Sequence, residues 1–461
     1  MSISSLLSTA RDSLIAHQLA IDITGANIAN VDTPGYSQQR AEFKSVGSVN
    51  ILANSAQVGV NINRIARIYD SYTDAQVIAQ QQNSGYSEAM LQGLQNIEVI
   101  VDDTNGGGLD DELNNFWAAW ENLSQNPGGE IERSALYSAS ESLVNTIAYN
   151  QQNLKDLNTE FNDSITAVVS QINDKISEIT DLNSRIVSAG EDRGDNNDLL
   201  DKRNEALKEL SAMIDINYYE NADGSINVYM SNGQPLLQSS MGHNLSTKLN
   251  AKGHMDIYST DVTDEIQNNA ITKGKLGALI ELQNDTVPKY LDNLNQFAST
   301  LAKRVNELHE SGYDSYKNTG ADFFEVSNPD NAAGTIKISA AINDDTNRIA
   351  ASTSVTGDGE NASMIAAIQK ELLMDKNTAT LNSFISSISG QIGHQVSTAK
   401  TYDDHQTIIM NHLTNQRDAI SGVSIDEEMI NLTKYQMGYT AAAKLCNTVN
   451  SLLDELMKIV S

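Results

Sequence analysis

Between Glu130 and Ala189 the chain contains neither glycine nor proline. Along that stretch Leu143, Ile147, Leu154, Leu157, Phe161, Ile165, Val168, Ile172, Ile179, Leu182 and Ile186 return at close to the helical period. Read as one helix, it would be about 90 Å long at roughly 1.5 Å per residue, with a break into two as the alternative. Further helical patterns span 197–214, 277–310 and 362–422, the last in pieces. The β signal is local. "INYYENADGSINVYMSNGQPLLQSS" sets Asp223-Gly224 and Asn232-Gly233 turns between alternating or aromatic runs, which predicts two successive hairpins. "GHMDIYS" and "GTIKIS" add candidate strands. The fold class is therefore mainly α with a smaller β-rich insert.

The two ends form a pair of their own. Ile3, Leu7, Ala10, Leu14, Ile21 and Ile28 follow three-four spacing, one amphipathic stripe that His17 and Thr24 interrupt. Asn30 is placed to end that helix, because asparagine tolerates the left-handed backbone of a helix stop. Pro34-Gly35 then suits the central positions of a type II turn. At the far end Ser424 and Glu427 read as a capping box, and Gly438 is the one interruption from there to Ser461. One apolar row there runs through Tyr435, Gly438, Ala442, Leu445, Val449, Leu452, Leu456 and Ile459. A second runs through Met429, Leu432, Tyr439, Ala443, Cys446, Leu453 and Met457. Two rows on one helix imply more than one neighbour.

Charge separates these ends from the middle. The chain of 461 residues has 30 basic and 60 acidic side chains, a net charge of −30. Residues 1–31 hold only Arg11, Asp12 and Asp22, and residues 425–461 hold five acids against three lysines, so nearly all of the negative charge lies between. Such a balance opposes binding to nucleic acid or anionic lipid. Nothing resembles a membrane span of about 18 apolar residues, and the N-terminus lacks the basic and apolar regions of a secretory signal. The single cysteine, Cys446, allows no intrachain disulfide, which suits the cytoplasm or a protein exported unfolded.

No chemistry stands out. "DDTNGGGLDDE" and "EDRGDNNDLLD" miss the spacing of a calcium loop and read as solvated acidic loops. The seven histidines show no zinc-binding spacing; His405 and His412 would need ligands from elsewhere. Cys446 reads as a packed thiol. Phosphate-binding loops, dinucleotide turns and nucleophile elbows are all missing from the sequence. No cofactor, metal or catalytic residue is assigned, and an enzyme is not expected.

Four stretches carry a resemblance. "ANIANVDTPGYSQQ" and "GVSIDEEMINLTKYQMGYTAAAKLCNTVNSLLDEL" resemble the N- and C-terminal signatures of the bacterial flagellar axial proteins. "NDLLDKRNEALKELSAMIDI" and "GKLGALIELQNDTVPKYLDNLNQFASTLAKRVNELHESGYD", followed by "GADFF", are similar to the hook-associated branch at the junction of hook and filament. Ala26 stands where that family often has a second asparagine, and Gln38 where a basic residue is common.

The resemblance implies a structural protein that polymerises through its terminal helices, paired as a coiled coil. It implies 1–45 and 418–461 as the terminal helical unit and 46–213, 266–317 and 360–417 as an elongated helical domain. Residues 214–265 and 318–359 would be an outer β-rich domain. Asn27, Asn30, Thr33, Pro34, Gly35 and Tyr36 carry over as an assembly turn. Ile3, Leu7, Leu14, Ile21, Ile28, Leu445, Val449, Leu452, Leu456 and Ile459 are the expected assembly contacts. Implied partners are other copies of the chain, the hook protein, a second junction protein and an export chaperone on the C-terminal helix. The implied location is the extracellular flagellum, reached by flagellar type III export without a cleaved signal. Rival readings are another axial component such as a hook or distal rod protein, an extracellular carboxylate-dependent hydrolase, or an adhesin.

Overall fold

The computed structural model describes residues 3–46, 49–50, 55–56, 59–101, 108–190, 196–260, 265–266, 268–354 and 357–460. In chain order, helix α1 (Ile3–Ala29) leads into short antiparallel strands β1 (Gln39–Val46), β2 (Val49–Asn50), β3 (Ser55–Ala56) and β4 (Gly59–Arg67). Helices α2 (Ser71–Val101), α3 (Leu109–Gln125), α4 (Glu130–Ala189) and α5 (Asn196–Met213) follow. Much of both expected acidic loops, 102–107 and 191–195, lies outside the described residues.

The stretch without glycine or proline is one helix. All 60 residues of α4 are continuous, and it stops at Gly190, whose φ of +70° a side chain would resist. Leu143, Ile147, Ile165, Ile172 and Ile179 are fully buried along one face. Towards the N-terminal end of α4 the core is aromatic: Phe116, packed on Trp117 and Trp120 of the same helix α3, joins Trp120 in meeting Phe323 and Phe324, with ring centres in the cluster 4.8 to 6.3 Å apart.

The two expected hairpins form. Strands β5 (Ile216–Glu220), β6 (Ile226–Met230), β7 (Pro235–Gln238) and β8 (Met241–Gly242) make one antiparallel sheet in that order. Gly224 at φ +81° and Gly233 at φ +88° supply its first two turns. A second sheet holds β9 (Leu245–Leu249), β10 (Met255–Ser259) and β11 (Glu265–Ile266) in the order β11-β10-β9. Alternation turns Ile226, Val228 and Met230 inward, into the core that also contains the apolar face of α4.

Asparagines on α4 complete the docking. Asn173 donates to the carbonyl of Leu245 and accepts its N–H, both at 2.8 Å. Asn183 does the same for Ile226 at 2.9 and 3.2 Å. A side-chain amide has the donor and acceptor of a peptide group, so each substitutes for a neighbouring strand.

Helices α6 (Gly274–Glu281) and α7 (Val287–Ser311) are joined by a wide π-type turn at Leu282–Thr286. Periodicity alone had run them together. Pro288 lacks the N–H that a regular α-turn would use, which favours the widening. The chain then crosses α8 (Ala332–Thr335), the hairpin of β12 (Phe324–Val326) and β13 (Ile336–Ile338), α9 (Ala340–Asp344) and α10 (Glu360–Ala367). The pieces expected over 362–422 are α10 and α11 (Leu381–Ser421), parted by a turn in which Asp375, Lys376 and Asn377 all have positive φ. Last comes α12 (Ile425–Val460), packed along α1. Thr24, Ala20 and Ile23 sit beside Glu428, Asn431 and Tyr435, while His17 meets Gly438, so the two run antiparallel. The protein is thus mainly helical with small antiparallel sheets.

Candidate assembly site at the first helix break

The break after α1 is a closed network. Asn30 ends the helix, though not through a left-handed backbone: its φ is not positive. Instead its side-chain Nδ2 donates at 2.9 Å to the Ala26 carbonyl, which already accepts the Asn30 backbone N–H at 3.1 Å, so the last helical turn is held from two sides. Thr33 Oγ1 donates to Asn30 Oδ1 at 3.1 Å. Tyr36 N–H then reaches the carbonyl of Thr33 at 3.2 Å across Pro34-Gly35, and Gly35 has φ +76°, as a type II turn requires. A Cβ on Gly35 would stand 2.8 Å from Glu205 Oε2 on α5.

Asn27 holds both sides of the break. It is 1% exposed; its Nδ2 donates to the Gln39 carbonyl at 2.8 Å, and its Oδ1 accepts Gln39 N–H at 3.0 Å and the Tyr36 hydroxyl at 2.9 Å. The last turn of α1 is thereby tied to the first residue of β1. Burial, then the charges of Asp201, Glu428 and Asp198, push the Tyr36 phenol up to about 12. It stays protonated and keeps donating at any physiological pH.

Beyond the turn, α5 grips the arm. Asp201 is buried, paired with Arg67 Nε at 2.6 Å, and it accepts Ser37 N–H at 3.0 Å and Ser37 Oγ at 2.9 Å. Burial pushes its carboxyl up, against Arg67 and the two Ser37 bonds, which pull it down. Arg67 also lies over the Tyr69 ring, 4.1 Å from its centre. Tyr69 donates in turn to Asp74, which pairs with Lys208 at 3.4 Å and accepts from Asn204 at 3.2 Å. Asp201, Asn204 and Lys208 all belong to the "LLDKRNEALKEL" stretch, spaced three and four apart on one helical face.

The arm also reaches the C-terminal helices. Gln38 N–H donates to the Ser421 carbonyl at the end of α11, at 2.8 Å, and its side chain donates to Glu428 of α12 at 2.6 Å. Glu428 is 2% exposed. Sequence reasoning singled out Glu427 as the cap partner of Ser424, and missed Glu428, Ser37, Gln38, Arg67 and Asp201 as parts of the joint. The signal for Asp201 was the interior motif; nothing local marked Arg67.

The expected assembly contacts fall into two groups. Ile3, Leu7, Leu14, Ile21 and Ile28 are half-buried, along the border of a buried face made by Ala10, Ala16, Ala20, Ile23 and Asn27. On α12, Val449 is buried beside α1, whereas Leu445, Leu452 and Leu456 are exposed. The Ile459 side chain lies outside the described residues. The face of α12 turned towards α1 draws on both sequence rows: Leu432, Tyr435, Ala442, Cys446, Val449 and Leu453. Ile430, Met437, Leu445, Leu452 and Met457 stay in solvent on other faces.

Among the described residues no cluster of His, Cys, Asp or Glu could hold a metal, and His405 and His412 are exposed. No described helix is long and apolar enough to cross a membrane.

The family model described as the flagellar hook-associated protein FlgK helical domain matches residues 94–324, half of the chain. The chain belongs to the FlgK family of flagellar hook-associated proteins. It is an axial component of the bacterial flagellum. Models for a flagella basal body rod protein and for the flagellar basal body rod FlgEFG protein C-terminal region match residues 7–36 and 415–459, which carry the joint and its C-terminal partner. Flagellar hook-associated protein 1 of Bacillus subtilis (strain 168) is 27% identical over 98% of this chain and 97% of its own. That of Escherichia coli (strain K12) is 24% identical over 99% and 100%. The flagellar hook junction protein FlgK from Burkholderia pseudomallei shares the FlgK fold, with a TM-score of 0.68 at 15% identity over 75% of this chain and all of that one.

Proposed function

We propose that copies of this chain polymerise into a short ring between the curved hook and the stiff filament. The terminal helices pair as a coiled coil and meet neighbouring copies. The observation that carries this reading is the bare apolar surface of α12: Met437, Leu445, Leu452 and Met457 are 66, 39, 46 and 71% exposed although one side of the same helix is already packed on α1. Water-exposed apolar area of this kind is worth about 25 cal/mol per Å² when a second copy covers it.

In this reading the joint of Asn27, Asn30, Thr33, Pro34, Gly35 and Tyr36 transmits the position of the inner helices to the outer body. Residues 1–45 and 418–461 form the inner unit; the rest of the chain surrounds it, with β-rich material outermost. The hook protein and a second junction protein are its neighbours along the shaft. A chaperone covers the C-terminal helix before type III export to the cell exterior. The protein performs no catalysis, and a peptidoglycan zymogram should show no clearing.

Deleting the gene tests the reading. Cells should keep hooks and release flagellin into the medium, and the wild-type gene should restore filaments. Hookless cells would assign the chain to the hook or rod instead.

A further inference from the structure

Two polar side chains interrupt the apolar stripe of α1, and the fold treats them differently. Thr24 is absorbed locally, its hydroxyl donating to the Ala20 carbonyl at 2.8 Å. His17 is not. Its Nδ1 is buried without a hydrogen-bond partner, and its ring is walled by Phe43 of β1 and Tyr435 of α12, with ring centres 5.8 and 6.4 Å away. Opposite lies Gly438, where an added Cβ would stand 2.6 Å from both Cε1 and Nε2 of the imidazole. The ring therefore occupies the space of a missing side chain.

We propose that His17 and Gly438 form a large–small interlock that fixes the register in which α1 and α12 pair. The inference rests on the proposed assembly through these helices and adds how their alignment is chosen. The small residues of the seam are poor at that task, although Ile23, Tyr435 and Val449 lie along it too. Ala10, Ala16 and Ala20 on one side and Ala442 on the other are small and alike, so a slip by one turn would exchange one small contact for another. Gly438 is the only glycine between Ile425 and Val460. Every position one turn away, Lys434, Tyr435, Ala441 or Ala442, carries a Cβ that would meet the ring. A slip of about 5.4 Å would also break the Gln38–Glu428 bond. The register in turn decides which apolar side chains of α12 face outward to neighbouring copies. His17 and Gly438 are thus positioning residues for assembly.

A double-mutant cycle in the deletion strain tests this. Full-length wild type, Gly438→Ala, His17→Ala and the combined variant are expressed, and flagellin shed into the medium is measured. Export of each variant and the melting of each purified protein serve as controls; both should be unchanged, since neither residue touches the main core. Gly438→Ala should raise shedding about tenfold in the wild-type background and change it less than about twofold once His17 is alanine, as contacting residues couple. Equal harm from Gly438→Ala in both backgrounds, or none in either, would overturn the interlock. Failure of the wild-type gene to reduce shedding would instead overturn the proposed function.

Discussion

Replacing Asp201 with alanine probes the joint most sharply. The carboxylate accepts three short bonds, from Arg67 at 2.6 Å, Ser37 Oγ at 2.9 Å and Ser37 N–H at 3.0 Å, and the Arg67 side chain is only 10% exposed. Removing one partner of a buried ion pair costs about 3–5 kcal/mol, because the charge left behind stays desolvated. Here burial already pushes the Asp201 carboxyl up, so its ionised form carries part of that penalty in the native protein. The lower end, about 3 kcal/mol, is therefore expected. The loss should be local, freeing residues 37–40 and the end of β4 from α5. Two assays apply to the full-length chain: urea unfolding, and trypsin cleavage after Arg40 and Arg67 under native conditions. Asp201→Ala should speed that cleavage at least tenfold, which corresponds to only about 1.4 kcal/mol of easier opening. Arg67→Met combined with Asp201→Leu should recover much of the loss, since an apolar pair can replace a buried ionic one. A single variant within about 0.5 kcal/mol of wild type and equally resistant to trypsin would refute the idea that this clamp holds the arm.

Gly35→Ala should destabilise the joint by about 1–2 kcal/mol through backbone strain alone, more if Glu205 cannot move, visible as slower incorporation into filaments-bearing junctions. Leu452→Asp or Leu456→Asp should leave urea unfolding unchanged, because both side chains are exposed, yet weaken chaperone binding in pull-down and increase flagellin shedding. His309 accepts the Ala350 N–H at 2.8 Å and shares its other nitrogen with the Ala321 carbonyl; burial, the main cause, lowers its pKa from 6.5 to about 4. The unfolded imidazole gains its proton first, so this contribution is complete above pH 6.5 and is lost as pH falls to about 4, roughly 3 kcal/mol in all; urea midpoints should show a shallower acid slope in His309→Gln. Protease should cut residues 430–460 quickly in dilute monomer and slowly in assembled junctions, since α12 in the monomer has α1 on one side and bare apolar faces on the others.

What the sequence revealed follows from range. The 60-residue helix was legible because its cause is local: no breaker and one unbroken apolar period. The hairpins at Asp223-Gly224 and Asn232-Gly233 were legible for the same reason. The break at Asn30 was correctly placed but given the wrong mechanism, because a side-chain return to Ala26 and a left-handed stop leave the same residue in the sequence. The wide turn before Pro288 was invisible, as apolar periodicity hardly changes across one extra residue. Arg67, Asp201 and Glu428 were missed because what unites them is separation in sequence and contact in space: Ser37 and Asp201 are 164 positions apart, and Gln38 and Glu428 are 390. The two apolar rows on α12 were visible, yet the face that packs on α1 takes members of both, because which side of a two-rowed helix meets its neighbour is set by packing in space and not by spacing in sequence.

The central claim is one of place: many copies, at one level of the shaft, held by their terminal helices. Immunogold labelling of intact appendages with antibody against this chain tests it directly. Gold confined to a single band where the curved hook meets the straight filament is the predicted result. Gold scattered along the filament or the hook, or found only at the base, would contradict it.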